Sequence, residues 1–148
     1  MGLSFNGVYT MYGTFRFILQ EHEHQHEIKT PINVVNTYTG EKILCDAIWD
    51  TGATGSMVSE NVARRLNLKP VGRTTIAGVH GVHDANTYIV DIKFDNGAML
   101  NNIKVTEASN TGGFGLLVGM DIIGRGRLYV DGISPTLLVQ FEVDAEQC

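Results

Sequence analysis

The residues that most clearly suggest chemistry are Asp50, Thr51 and Gly52, which follow an apolar segment from Ile43 to Trp49. The pattern predicts a buried strand that ends in a turn carrying a carboxylate. Asp before Thr and Gly is also common where a turn caps its own backbone. The triplet alone therefore fits either a catalytic acid or a structural one, and the neighbouring segments have to decide.

Three further segments follow this triplet in a fixed order. Ser59 is a suitable N-cap for a helix from Glu60 to Leu66. Next comes a glycine-bearing turn between strand-like segments, Gly78 to Gly81, and then an aliphatic run that ends in glycine, Leu116 to Gly119. A single helical turn is expected at residues 120–123, where the charge of Asp121 suits the helix N-terminus and indicates a structural role.

This ordered combination resembles the retropepsin-like aspartic proteases, the single-domain relatives of pepsin, over about residues 32–143. The resemblance implies that Asp50 is the catalytic acid, that Thr51 braces the loop and that Gly52 lets the backbone approach substrate. Leu117, Val118 and Gly119 would support the loop. A flap would close over a polypeptide substrate, and the implied substrate-binding residues are Ala53, Thr54, Gly78, Val79, His80 and Gly81.

Two positions depart from the family pattern. Many retroviral members carry a second aspartate where this chain has Thr54, and the flap position of His80 is often glycine. Thr54 can still form hydrogen bonds but carries no charge. We therefore expect substrate to be held more weakly or in a different order, and the flap to be stiffer.

Hydrolysis of a peptide bond by water without a metal needs two carboxyl groups, one to deprotonate the water and one to polarise the carbonyl. Two carboxyls that share one proton stay mono-protonated over an acidic range, because like charges repel. The sequence has one Asp-Thr-Gly, whereas pepsin-like chains carry two. We therefore expect a homodimer in which Asp50 faces its copy across a two-fold axis. On the family resemblance, the segment Leu137 to Val143 is a candidate for pairing across subunits.

The remaining sequence predicts an all-β protein. It has 17 glycines and 3 prolines, spread among short β-branched and aromatic runs. Alternation is clearest at Tyr88, Val90, Ile92 and Phe94, with a return strand at 99–105. Further strands are expected at 8–19, 28–36, 43–49, 73–77, 128–130 and 137–143. We expect a retropepsin-like closed barrel with a flap hairpin and one or two short helices over 28–148, preceded by an N-terminal extension or extra strand over 1–27.

Composition and charge argue against several classes of protein. A formal charge of -5 disfavours nucleic-acid or anionic membrane partners. No apolar run approaches the roughly 18 residues that span a bilayer, and a secretory signal is not evident. Two cysteines, Cys45 and Cys148, are too few for a disulfide scaffold. We expect a cytoplasmic protein with reduced thiols and without a cofactor.

Two alternatives stay open at this point. The first is a catalytically silent retropepsin-like module that binds peptides or dimerises. The second is a metal-binding role for His22, His24 and His26, which would project from one side of an extended strand. We favour a solvated connector for this histidine segment, and we expect no metal site.

Overall fold

The computed structural model describes residues 13–19, as backbone, and residues 27–78, 81–109, 112–133 and 137–143. The strands are β1 Gly13–Leu19, β2 Ile28–Asn36, β3 Lys42–Trp49, β4 Met57–Ser59, β5 Gly72–Gly78, β6 Gly81–Lys93, β7 Met99–Ala108, β8 Leu116–Val118, β9 Gly126–Asp131 and β10 Leu137–Val143. The helices are α1 Glu60–Arg65 and α2 Met120–Ile123. The predicted all-β class with short helices is confirmed. In this part of the chain, no helix has the length and apolar composition needed to cross a membrane.

The larger sheet contains seven strands in the order β2-β3-β8-β4-β7-β6-β5, and β2 also pairs with β6. The pairing of residues 33–36 with residues 90–93 therefore returns the ladder to its first strand. A sheet that curls back on itself encloses one face, and the apolar side chains of alternating residues fill it. The fully buried members include Ile32, Val34, Val90, Ile92, Leu100 and Val105.

The smaller sheet is antiparallel, with β10 between β1 and β9. Phe141 of β10 is buried, and its ring meets the edge of Trp49 with the ring centroids 5.2 Å apart. Trp49 is the last residue of β3, and its indole N–H donates to Thr30 Oγ1 at 2.9 Å. The aromatic contact therefore anchors the smaller sheet at the end of the strand that precedes Asp50.

The position of β10 corrects one expectation. Leu137–Val143 was a candidate for pairing across subunits, but it is hydrogen-bonded to β1 along one edge and to β9 along the other. A strand has two edges, so β10 has none left for a second chain. In the described part of the chain, the open edge of the smaller sheet belongs to β9.

Helix α1 begins as its sequence predicts. The Ser59 hydroxyl accepts a hydrogen bond from the Val62 N–H at 3.0 Å, and Val62 and Leu66 are buried on one face. The helix ends one residue earlier than predicted, at Arg65, with Leu66 as its C-cap. The next residue, Asn67, has φ +52°, a left-handed conformation that terminates the helix.

Candidate active site

Asp50 lies where β3 ends, and its backbone is tied to β8. Its N–H donates to the Val118 carbonyl at 2.9 Å, and its carbonyl accepts the Ala53 N–H at 3.2 Å. The side-chain Oδ1 accepts the Gly52 N–H at 2.8 Å. Within the described residues, Oδ2 accepts no hydrogen bond, and Asp50 is half-buried. The loop therefore fixes the carboxylate through one oxygen and leaves the other open to water, a substrate or a second carboxyl group.

Gly119 brings the start of α2 into close contact with this loop. A Cβ at residue 119 would lie 2.8 Å from the Gly55 carbonyl oxygen and 2.9 Å from that of Ala53. The N–H of Met120 donates to the Ala53 carbonyl at 2.8 Å, and the N–H of Asp121 donates to the Thr54 carbonyl at 3.2 Å. Any side chain at residue 119 would push these two backbone segments apart.

Leu117 and Val118 connect the loop to the larger sheet. Val118 is buried and pairs with Trp49, while Leu117 pairs with Ile48 of β3 and Met57 of β4. The strand β8 thus lies between the two segments that enter and leave the Asp50 loop. The aliphatic run predicted to support the loop therefore forms β8, which is hydrogen-bonded to β3 on one side and to β4 on the other.

Ser56 and Asp121 form a polar clamp that the sequence did not indicate. The Ser56 N–H donates to Asp121 Oδ2 at 3.0 Å, and the Ser56 hydroxyl donates to Asp121 Oδ1 at 2.7 Å. The same hydroxyl accepts the Gly119 N–H at 3.0 Å. Ser56 is 2% exposed and Asp121 is half-buried, so the clamp joins the end of the Asp50 loop to α2 from the buried side of Ser56.

Removing the clamp should loosen the loop. For Asp121→Ala we expect the free energy of unfolding to fall by about 1–3 kcal/mol, because Ser56 would keep buried polar groups without their acceptor. Urea unfolding of the variant measures the change. Asp95→Ala, at an exposed turn, is the control and should change stability by less than about 0.5 kcal/mol. Equal losses in the two variants would show that the clamp contributes nothing.

The glycine-bearing turn predicted as a flap lies at the end of the β5–β6 hairpin. Gly78 and Gly81 face each other there, and Gly81 has φ +111°. Thr75 Oγ1 donates to Asp84 Oδ1 across the hairpin at 3.2 Å. Most of the β5 side chains are exposed, and Val79 and His80 lie outside the described residues. Strand β5 agrees with the strand predicted at 73–77, whereas β6 begins at Gly81, well before the alternation that starts at Tyr88. The first four residues of β6 are exposed on both faces, so they set no alternating pattern.

The remaining implied substrate-binding residues belong to the Asp50 loop. The Thr54 side chain is exposed, and that of Ala53 is half-buried, while the carbonyls of both residues are held by α2. Thr51 is exposed as well. The loop therefore exposes the side chains of Thr51 and Thr54 to solvent, while its backbone carbonyls are hydrogen-bonded to α2.

A cavity of about 510 Å³ lies elsewhere on the molecule. It is lined by β3 residues from Ile43 to Asp46, by α1 and by residues 113–115, and its lining does not include Asp50. Cys45 is on this lining. Burial, and to a smaller extent the negative charge of Asp46, raises the pKa of Cys45 to about 12. The thiol therefore stays protonated at neutral pH.

The protonated state of Cys45 can be measured by alkylation. The rise in pKa from 9.0 to about 12 lowers the thiolate fraction at pH 8 roughly a thousandfold. Because the thiolate is the form that reacts with alkylating agents, the rate of alkylation falls with it. In a Cys148→Ser background, we expect the folded protein to react with iodoacetamide far more slowly than the urea-unfolded protein. Comparable rates in the two states would contradict this environment for Cys45.

The three histidines of the metal-binding alternative, His22, His24 and His26, lie outside the described residues. Within the part of the chain that the structure describes, no group of three or more His, Cys, Asp or Glu side chains is arranged to hold a metal ion.

Comparison with known proteins gives one family match and several structural matches. The model of a family described as gag-polyprotein putative aspartyl protease matches residues 38–125, which include the Asp50 loop, Gly119 and the whole of α2. No curated protein sequence matches the chain.

The structural matches share the fold at low sequence identity. A retropepsin-like aspartic protease from Rickettsia conorii superposes with a TM-score of 0.59 and 14% identity, covering 89% of this chain and 95% of that one. The EIAV protease complexed with the inhibitor HBY-793 superposes with a TM-score of 0.51 and 21% identity, covering 70% of this chain and 90% of that one.

Proposed function

The chain belongs to the retropepsin-like family of gag-polyprotein putative aspartyl proteases, and from this membership we propose that it is an aspartic endopeptidase with Asp50 as its catalytic carboxyl. The observation that carries the proposal is the state of that carboxylate. One oxygen is fixed by the Gly52 N–H, and the other accepts no hydrogen bond from the described residues, on a loop tied to β8 and α2.

The proposed catalyst is a pair of Asp50 side chains from two copies of the chain. One carboxylate cannot both deprotonate a water and protonate the carbonyl oxygen in the same step. Asp121 also lies close to the loop, but both of its oxygens accept hydrogen bonds from Ser56. The second carboxyl group therefore has to come from a second chain, and a symmetric homodimer supplies an identical one.

The proposed reaction uses water as the nucleophile. The ionised Asp50 of one copy takes a proton from water while the water oxygen forms a bond to the carbonyl carbon. At the same time, the protonated Asp50 of the other copy gives its proton to the carbonyl oxygen. The tetrahedral product then loses the amine, as one carboxyl group protonates the leaving nitrogen and the other recovers the proton of a hydroxyl group. The pair ends with one proton, as it began, and needs no cofactor.

The proposed substrate is an extended polypeptide. It would lie between the Asp50 loop, at Thr51 to Thr54, and the hairpin whose last paired residues are Gly78 and Gly81. Val79 and His80, which separate these two glycines in the sequence, are proposed as further contacts. Exposed backbone and small side chains on both surfaces favour recognition of a peptide main chain. At Thr54, where many retroviral members carry an aspartate, the substrate would meet an uncharged hydroxyl group that can form a hydrogen bond.

Digestion of a peptide library tests this function. The purified chain, at several concentrations and from acidic to neutral pH, should release fragments, and the specific activity should rise with protein concentration as dimers form. A pepstatin-like peptide mimic that carries a hydroxyl group should inhibit the cleavage. Measurable peptide binding without cleavage at any concentration or pH would instead indicate the silent binding module.

A further inference from the structure

We propose that the dimer forms by antiparallel pairing of β9 with β9 of a second copy, in a register centred on Tyr129. This inference rests on the proposed function, which requires a second Asp50 beside the first. It names the surface that brings the two copies together and the side chains that set their alignment.

The strand β9 has an open and partly apolar edge. Within the described residues it is hydrogen-bonded to β10 alone. Val130 is 48% exposed although Val139, its neighbour across the β9–β10 ladder, is 0% exposed. On this face of the smaller sheet, the side chain of β10 is fully buried, whereas that of β9 is about half exposed to solvent. Tyr129, on the opposite face, is 50% exposed. An uncovered sheet edge of this kind is a template for a further strand.

Symmetry restricts the ways in which β9 can pair with itself. Residues directly opposite each other in an antiparallel ladder point to the same face of the sheet, whereas successive residues of one strand point to opposite faces. About a two-fold axis perpendicular to the sheet, one residue must therefore face its own copy. The central candidates in β9 are Leu128, Tyr129 and Val130.

Charge selects among these registers. Centring on Tyr129 places Arg127 opposite the partner's Asp131, and Asp131 opposite the partner's Arg127. Centring on Leu128 instead places Arg127 opposite a tyrosine, and centring on Val130 places Asp131 opposite a tyrosine. Opposite charges stabilise a cross-strand pair. The Tyr129 register is thus the one that gives both charged residues of β9 a partner of opposite sign.

Arg127 is free to take part in this contact. Inside the chain it approaches Glu142 at 3.5 Å, and its side chain is 70% exposed. Exposed ion pairs of this kind are weak. Arg127 can therefore turn toward the partner's Asp131 without losing a strongly held contact.

A short series of contacts connects this edge to Asp50. Leu128 of β9 lies opposite Phe141 of β10, and the Phe141 ring packs against Trp49, which directly precedes Asp50. Helix α2, which holds the Asp50 loop, leads into β9 through residues 124–125. Pairing at β9 therefore joins the two copies at an element that is connected, through Phe141 of β10, to the strand that leads to Asp50.

Charge reversal in the full-length chain tests the interface. Arg127→Asp and Asp131→Arg should each raise the dimer dissociation constant at least tenfold, as measured by analytical ultracentrifugation, because like charges then face each other. The double variant should return it to within about threefold of wild type. Glu142→Gln, which removes the internal partner of Arg127, is the matched control and should leave it unchanged.

A cysteine reports the register directly. In a Cys148→Ser background, Tyr129→Cys should form a disulfide-linked dimer under mild oxidation, whereas Asp131→Cys should not, because in this register it does not face its own copy.

The results separate this inference from the proposed function. Single charge variants that dimerise as tightly as wild type would overturn the β9 interface, and a double variant that fails to recover would overturn the register. A wild-type chain that dimerises through β9 but cleaves nothing would confirm the interface and refute the endopeptidase.

Discussion

Replacement of Asp50 by asparagine should abolish peptide hydrolysis and leave the protein folded. Asparagine keeps the shape of the side chain and an oxygen that can accept the Gly52 N–H, now 2.8 Å from Oδ1. It can neither take a proton from water nor give one to a carbonyl oxygen. We expect the turnover rate to fall at least 10²–10⁴-fold, the range typical of general acid–base catalysis, with unchanged circular dichroism and urea midpoint.

Asp46→Asn is the matched control for this variant. Asp46 lies on β3, the strand that leads to Asp50, and is exposed, and its replacement removes the same charge. It should retain activity close to that of wild type. Full turnover by purified Asp50→Asn protein, or an equal loss in both variants, would rule out Asp50 as the catalytic group.

Substitution of Gly119 by alanine should have the second largest effect. The added Cβ would lie 2.8 Å from the Gly55 carbonyl oxygen, so the Asp50 loop or α2 has to move. We expect the free energy of unfolding to fall by about 1–3 kcal/mol, as in overpacked cores. Since a displacement of about 1 Å in a catalytic group can cost 10²-fold in rate, we expect a similar loss of activity in the protein that remains folded.

Gly55→Ala is the control for this prediction. A Cβ at residue 55 would meet no atom within 4 Å, although the residue lies on the other side of the same contact. Unfolding in urea and peptide cleavage should both stay near wild type. Equal behaviour of Gly55→Ala and Gly119→Ala would show that the close approach of α2 to the loop is unimportant.

Much of the local structure could be predicted because it depends on short patterns. The alternation at Tyr88, Val90 and Ile92 reflects one buried face, and Ser59 caps α1 because its hydroxyl can reach the Val62 N–H. Such patterns need only neighbouring residues. The three-residue strands β4 and β8 are too short to show a period, so their pairing emerges only from the fold.

The parts of the site that escaped prediction depend on contacts between distant segments. Ser56 and Asp121 are 65 residues apart and carry no joint signal in a single sequence. The edge position of β9 and the central position of β10 are likewise set by strand order. Periodicity can identify a strand, but it does not reveal which strand ends up with an open edge.

The central claim is that one active site contains Asp50 from two chains, and mixing wild-type protein with Asp50→Asn protein tests it most directly. The two forms are combined at fixed total concentration and allowed to exchange subunits. If both carboxyl groups are needed, only wild-type homodimers are active, so activity falls with the square of the wild-type fraction, to about a quarter at an equal mixture. A linear decrease, with about half the activity at that mixture, would contradict the shared site.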